Sequence, residues 1–393
     1  MRIGILTYHR SVNYGAVMQS AALASELSRR FPHAEIEIVD YCSKRMDIYY
    51  KLFTVYRGKD SVAHLLSRVE MYRAFQRGLK ELPLSPSKLV TDDCNRFFRW
   101  VQGRYDILIS GSDAVWNYSK RGLPNPYFLH GVEETCHRFS YAASCNGLGV
   151  KNFSDLDDNS KMFLEEAFSG FEYIGVRDKQ TEVFVQTVCP SANVYHNCDP
   201  SLLFSDLKNC DRTKLIDKLF CQYHFDPEKP TIGLMLSNLN GDLSRVLTEQ
   251  IKESFGKKFQ IVSLYSYNKY ADIPYIADLT PQEWSIVFGL FDLTISKYFH
   301  GSMFSLLNRT PVLAVGAEKS IAGLPNKVED AFERLGISDW YYAASSATDI
   351  DWKSFMVKAD ELLNHSQNEK IDMGIKCELQ SAETFFERVE QLV

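Results

Sequence analysis

The sequence contains no CxxC pair; its nine cysteines are scattered singly from Cys42 to Cys377. That excludes the usual zinc-ribbon and redox-pair spacings, and an odd count without a framework pattern fits a reducing cytoplasm. A GxGxxG fingerprint is also missing, which leaves a dinucleotide site poorly supported. No stretch approaches the ~20 apolar residues needed to cross a bilayer. The opening MRIGILTYHRS turns polar too soon for a secretory leader, so an intracellular, soluble or peripheral protein is expected. Basic charge is not in excess, and a net charge of −6 gives no electrostatic reason to expect nucleic acid. Repeats and low-complexity runs are lacking. What remains is a globular composition, and 393 residues exceed one ordinary core, so two domains are expected.

The first βαβ pattern is Arg2 to Leu6, the helical run Ala16 to Phe31, and Glu35 to Asp40. It implies a parallel sheet. Residues 43–104 have few strand signals and read as a helical insertion, after which Asp106 to Ser110 returns to the sheet. Tyr173 to Val176 and Asn193 to His196 are further strands. A second alternation runs through Thr231 to Leu236, Gln260 to Leu264, Asp292 to Ser296 and Pro311 to Val315, with Thr280-Pro281-Gln282-Glu283 as a capping box. The fold expected is α/β: two Rossmann-like domains facing a cleft, the arrangement called GT-B, divided at 205/206. Asp351 to Leu392 forms a helical tail expected to pack back on the first domain.

Chemistry concentrates where strands hand over to helices. His300 and Gly301 lie between the Asp292 strand and a helix expected from Ser302 to Leu307. Free N–H groups at such a start favour anions, and a histidine there can move protons near neutral pH. It can instead merely cap the helix or pack in a loop. In the first loop Asn13 can cap a helix and Gly15 allows close backbone approach; the segment with Tyr14 reads as a helix cap or a ligand loop. Gly111-Ser112-Asp113, followed by Trp116 and Asn117, suits sugar hydroxyls beneath an aromatic ring, or is an Asx turn. Arg177 ends a strand and can bind phosphate or carboxylate in two-point fashion. Lys297 lies beside the His300 loop and Lys327 opens a later helix. With no ligand cluster, no metal is expected. Lys44 to Lys59 interleaves five cations with four aromatics and one acid. It suits a membrane interface or a lipid-linked substrate, or a helical face packed on the domain.

The segments NYGAVMQSAAL, DILISGSDAVWN, SYAAS (Ser140 to Ser144), IGVRDKQT, CDPSLLF, KYFHGSMFSLLNRTPVLAV and NKVED occur in that order. Together they resemble the polysaccharide pyruvyl transferase family across nearly the whole chain. The resemblance implies a GT-B-like enzyme that uses phosphoenolpyruvate to place a pyruvate ketal on a sugar during assembly of a bacterial surface polysaccharide. The family's arginine, histidine and lysine fall on Arg177, His300 and Lys327. Many members have an arginine two residues before the histidine, where this chain has Tyr298, with Lys297 next to it.

With the resemblance, His300 and Asp113 are the expected catalytic residues. Arg177, Lys327, Lys297, Gly301 and Ser302 are expected on the donor. Asn13, Tyr14, Gly15, Ser112, Trp116, Asn117 and Ser144 are expected on the acceptor. No cofactor is expected beyond phosphoenolpyruvate as donor substrate. The acceptor is a glycan, with a lipid pyrophosphate carrier and peripheral contact at the inner face of the cytoplasmic membrane through residues 44–59 as a further expectation. The competing readings are a nucleotide-sugar glycosyltransferase of GT-B architecture and a non-catalytic sugar-binding homologue.

Overall fold

The computed structural model describes residues 1–52, 62–204, 207–236, 243–256, 258–316, 323–344 and 346–393. The 205/206 boundary and the part of the Lys44 to Lys59 stretch from 53 onward lie outside the described residues.

β1 (Arg2–Leu6), α1 (Tyr14–Arg30) and β2 (Glu35–Ile38) open the chain as a βαβ unit. The insertion holds β3 (Tyr41–Cys42), α2 (Lys44–Leu52), α3 (Val62–Leu79), β4 (Leu89–Val90) and α4 (Cys94–Val101). It is mainly helical but includes a short parallel β3–β4 pair. β5 (Ile107–Ser110), α5 (Tyr118–Arg121), β6 (His137–Ala143), α6 (Val150–Ser154) and α7 (Asp158–Ser169) follow. β7 (Tyr173–Val176), α8 (Lys179–Val188) and β8 (Val194–His196) complete a six-stranded parallel sheet, ordered β2-β1-β5-β6-β7-β8.

The second half repeats the plan. After α9 (Thr213–Tyr223) come β9 (Thr231–Met235), α10 (Leu243–Phe255), β10 (Gln260–Ser263) and α11 (Pro281–Val287). Then come β11 (Leu293–Ser296), α12 (Phe299–Leu307), β12 (Val312–Gly316), α13 (Lys327–Arg334) and β13 (Tyr341–Ala343). The five strands are parallel in the order β10-β9-β11-β12-β13. Helices cover a parallel sheet on both faces, so its strands read as unbroken apolar runs; β5, β7, β9 and β11 are buried throughout.

The tail forms α14 (Trp352–Asn364), α15 (Asn368–Gln380) and α16 (Glu383–Glu390). Phe385 of α16 packs on the first sheet, its ring centre 4.7 Å from that of Tyr141 and 5.5 Å from that of Tyr173. One apolar core runs from the α1 side of the first sheet, through the contact between the halves, into the second sheet. A second core fills the opposite side of the first sheet. Among the described residues no helix is long and apolar enough to cross a membrane.

Strand order reverses beside β1 and β5 in one sheet and beside β9 and β11 in the other. Loops leaving such neighbours diverge, which opens a crevice at the carboxyl edge where ligands bind in this class of sheet.

Candidate active site

Both reversal points supply residues to one place. α12 begins at Phe299, three residues before the expected Ser302. The Ser296 hydroxyl accepts from the Tyr298 N–H at 3.0 Å and donates to the Tyr298 carbonyl at 2.9 Å. That clasp closes the turn early and puts His300 and Gly301 inside the first helical turn. A Cβ on Gly301 would lie 2.7 Å from Ser296 Oγ, so glycine lets the turn sit against the strand end. Ser302 is buried and its hydroxyl donates to the Tyr298 carbonyl at 3.2 Å. Lys297 is fixed through its N–H to the Met235 carbonyl at 3.0 Å. Tyr298 stacks on Tyr265, ring centres 4.0 Å apart.

From the other half, Asn13 caps α1 by accepting from the Ala16 N–H. Tyr14 and Gly15 therefore lie within the helix. Gly15 is where α1 meets α12: a Cβ there would overlap the His300 ring. Tyr14 packs near Trp284 of α11, centres 5.8 Å apart, and so helps join the halves. One turn on, buried Gln19 places Oε1 3.0 Å from His300 Nε2.

Asp199 is the centre of the cluster. Its Oδ2 lies 2.9 Å from Arg177 Nη1 and 3.9 Å from His300 Nε2, while its Oδ1 accepts from the Ser201 N–H and hydroxyl. Arg177 Nη2 is 3.9 Å from Asp113 Oδ1, and Phe299 covers the guanidinium at 4.7 Å. Asp113 has φ of 79°, a left-handed backbone uncommon outside glycine, and stays partly exposed.

Burial sets the electrostatics. It pushes the His300 imidazole below its ordinary 6.5; Asp199 and Asp113 oppose this, while Arg177 and Lys327 add to it. Burial also works against the charges of Asp199 and Arg177, but their partners outweigh it. The Asp199 carboxyl is held below its usual range by His300, Arg177 and the Ser201 bonds, and Arg177 is held above its own by Asp199, Asp113 and Asp178. The result is a fixed carboxylate–guanidinium pair beside an imidazole whose protonation burial opposes and an arriving anion would favour.

Lys327 opens α13 and donates from Nζ to Asn146 Oδ1 at 3.0 Å, bridging the halves. Asn146 rests on a ledge made from expected residues: its N–H donates to Ser144 Oγ at 3.0 Å, and Asn117 Nδ2 donates to its carbonyl at 3.4 Å. Ser144 in turn donates to Asp178 at 2.6 Å. Ser144 and Asn117 thus hold the loop that holds Lys327.

Three expectations change. Trp116 is fully buried, with its ring against Phe128, Phe168 and Phe171 and its N–H on the Tyr127 carbonyl. It has no face to offer a sugar, because the apolar pull of the core exceeds that of a half-solvated platform. Ser112 is also buried, and its carbonyl accepts from the Thr7 hydroxyl at 3.0 Å. Arg177 is almost fully buried, with part of its fork given to Asp199. It aims carboxylates and shapes the local field, in place of the open two-point clamp expected. Asp199, Gln19 and Asn146 were missed. Asp199 did stand in the quoted CDPSLLF segment, but an Asp-Pro after a strand reads as a chain turn until its neighbours are known.

A model of the polysaccharide pyruvyl transferase family matches residues 13–318, a span that includes His300 and Arg177. The chain belongs to that family. No curated protein matches the sequence. Solved structures similar in fold include UDP-GlcNAc 2-epimerase from Neisseria meningitidis bound to UDP-GlcNAc, at TM-score 0.53 and 9% identity with all of both chains covered. UDP-GlcNAc 2-epimerase from Methanocaldococcus jannaschii gives TM-score 0.51 at 9% identity, covering 98% of this chain and 100% of the other. Sucrose-phosphate synthase from Thermosynechococcus elongatus gives 0.52 at 9%, covering 100% and 99%. At such identity the likeness speaks for the fold alone: a GT-B-like pair of Rossmann-like domains. Among the described residues no group of three or more His, Cys, Asp or Glu side chains could hold a metal ion.

Proposed function

We propose that this pyruvyl transferase family member moves the enolpyruvyl group of phosphoenolpyruvate onto two hydroxyls of one sugar, forming a pyruvate ketal and releasing phosphate, in bacterial surface polysaccharide biosynthesis. The observation that carries this reading is the linked set His300, Asp199, Arg177 and Asp113, with Lys327 near enough for its charge to act on His300, at the meeting of the two carboxyl edges. It offers cations for a doubly anionic donor, an imidazole for proton transfer and a partly exposed carboxylate for an acceptor hydroxyl.

The donor's methylene carbon takes a proton, which leaves the adjoining carbon electrophilic. A first sugar hydroxyl adds there and gives up its proton to Asp113. Phosphate leaves with the bond electrons, and the second hydroxyl of the same sugar closes the ketal. One hydroxyl proton replaces the proton taken by the methylene, and the other departs with phosphate, so the sum balances without a redox partner or a cofactor. His300 is the proton carrier in this reading, with Lys327 and Lys297 supplying positive charge for the phosphate. Gln19 and Asp199 fix the ring's orientation. A glycan carried on a lipid pyrophosphate at the cytoplasmic face of the membrane is the acceptor context this reading favours.

The test is release of inorganic phosphate from phosphoenolpyruvate against a panel of free and lipid-linked glycans, with the glycan mass followed in parallel. Acceptor-dependent release with a pyruvate-ketal mass gain supports the proposal. Nucleoside diphosphate release from a sugar nucleotide instead would overturn it in favour of a glycosyltransferase.

A further inference from the structure

A cavity of about 860 Å³ is not lined by His300, Arg177 or Lys327. It lies in the first half, over the carboxyl ends of β1 and β2, between α2 and α5. The described part of the cationic, aromatic stretch forms one wall: Arg45, Tyr49 and Tyr50 of α2 line it. Tyr49 and Tyr50 meet edge to face at 5.1 Å, an arrangement that presents ring surface to the space.

Its charge is unusual. Three arginines and one aspartate, Asp92, line the cavity. Arg10 is already matched two-point by Asp40, at 2.5 and 2.6 Å. Arg121 has no such match among the described residues: it donates from Nε to Tyr8 Oη at 3.1 Å and lies 4.2 Å over the Tyr8 ring centre. Among the described residues no carboxylate pairs with Arg121 or Arg45. A part-buried guanidinium held only by a phenol and a ring face retains donors for an anion.

The cavity also adjoins the chemistry. Tyr8 Oη donates to the Ala114 and Val115 carbonyls at 3.2 and 3.4 Å, the two residues that follow Asp113. A sugar with one end on Arg121 can therefore present hydroxyls toward Asp113. The volume exceeds what phosphoenolpyruvate needs, and ring walls suit sugar faces.

We infer that this cavity is the acceptor pocket, and that it recognises a glycan carrying a phosphoryl group, with Arg121 and Arg45 on the phosphoryl oxygens and Tyr49 and Tyr50 on the sugar. This deepens and rests on the pyruvyl transfer reading. Such a group occurs on a prenyl diphosphate carrier or on a sugar nucleotide, and the two share the chemistry that Arg121 reads.

The test is calorimetric titration of the whole chain with three probes: inorganic pyrophosphate, a short-prenyl diphosphogalactose and UDP-galactose. Wild type should bind pyrophosphate and at least one glycan probe, and Arg121→Gln should weaken both by about tenfold or more. A preference for the prenyl probe identifies a lipid carrier, and a preference for UDP-galactose a nucleotide source; both support the assignment. Failure of all three to bind, or equal binding by Arg121→Gln, overturns it. If Arg121→Gln does not fold, exposed Arg45→Gln carries the same test. The rise in Tm given by phosphoenolpyruvate is followed alongside. Its loss in Arg121→Gln means the cavity holds the donor and overturns the inference. Its lack in wild type, with probes still bound, sinks the donor reading and leaves the pocket standing.

Discussion

Gly15→Ala tests whether the two halves assemble the site through the α1–α12 contact. The added methyl would overlap His300 Cγ, Cβ and Nδ1, far inside the ~3.5 Å at which carbon atoms attract. Ring or helix must therefore retreat by about 1 Å. Overpacking of this kind costs ~1–3 kcal/mol, while alanine in a helix regains up to ~1 kcal/mol over glycine. The net loss of stability is thus small, about 0–2 kcal/mol. Turnover should suffer more: the shift breaks the 3.0 Å approach to Gln19 and lengthens the 3.9 Å approach to Asp199, and a 1 Å misplacement can cost ~10²-fold. A double-mutant cycle separates the clash from a general effect. His300→Ala removes the ring, so adding Gly15→Ala to it should cost nothing and can stabilise, giving a coupling of ~0.5–3 kcal/mol in urea unfolding. Additive single effects, with turnover of Gly15→Ala unchanged, would refute the contact and the site geometry built on it.

Asp199→Asn leaves Arg177 buried with its 2.9 Å partner neutralised, and should cost ~3–5 kcal/mol in urea unfolding; an unchanged midpoint would mean Asp113 alone balances Arg177. The pH dependence has a defined sign. The native His300 resists protonation, whereas the unfolded chain takes up that proton near 6.5. Its contribution to stability is therefore complete above 6.5 and is lost as pH falls beneath that value. Buried His9 is depressed in the same direction, so wild type is compared with His300→Gln, which should show the shallower decline. Equal slopes would remove His300 from the account.

Local pattern carried most of the architecture. β1, β7 and the Thr280 capping box read directly, because apolar runs and helix caps act within a few residues. The start of α12 did not, because a serine–backbone clasp outweighed the serine at which a helix was expected. Trp116 shows a further limit: an aromatic beside an aspartate looks the same in sequence whether its ring faces a sugar or the phenylalanines of a core. Arg177 was identifiable as a candidate site residue, but its burial under Phe299 was not.

The sequence by itself determined two parallel α/β halves, the family, and the candidates His300, Arg177 and Lys327, since periodicity and ordered motifs are properties of the chain. Tertiary structure alone decided that Asp199, Gln19 and Asn146 join them, that Gly15 must be bare where His300 meets α1, and that Arg121, paired with no carboxylate among the described residues, sits in a tyrosine-lined cavity near the loop that carries Asp113. These are contacts between residues up to 285 positions apart. Their energies depend on burial and on who pairs with whom, and neither exists until the two sheets close on one another.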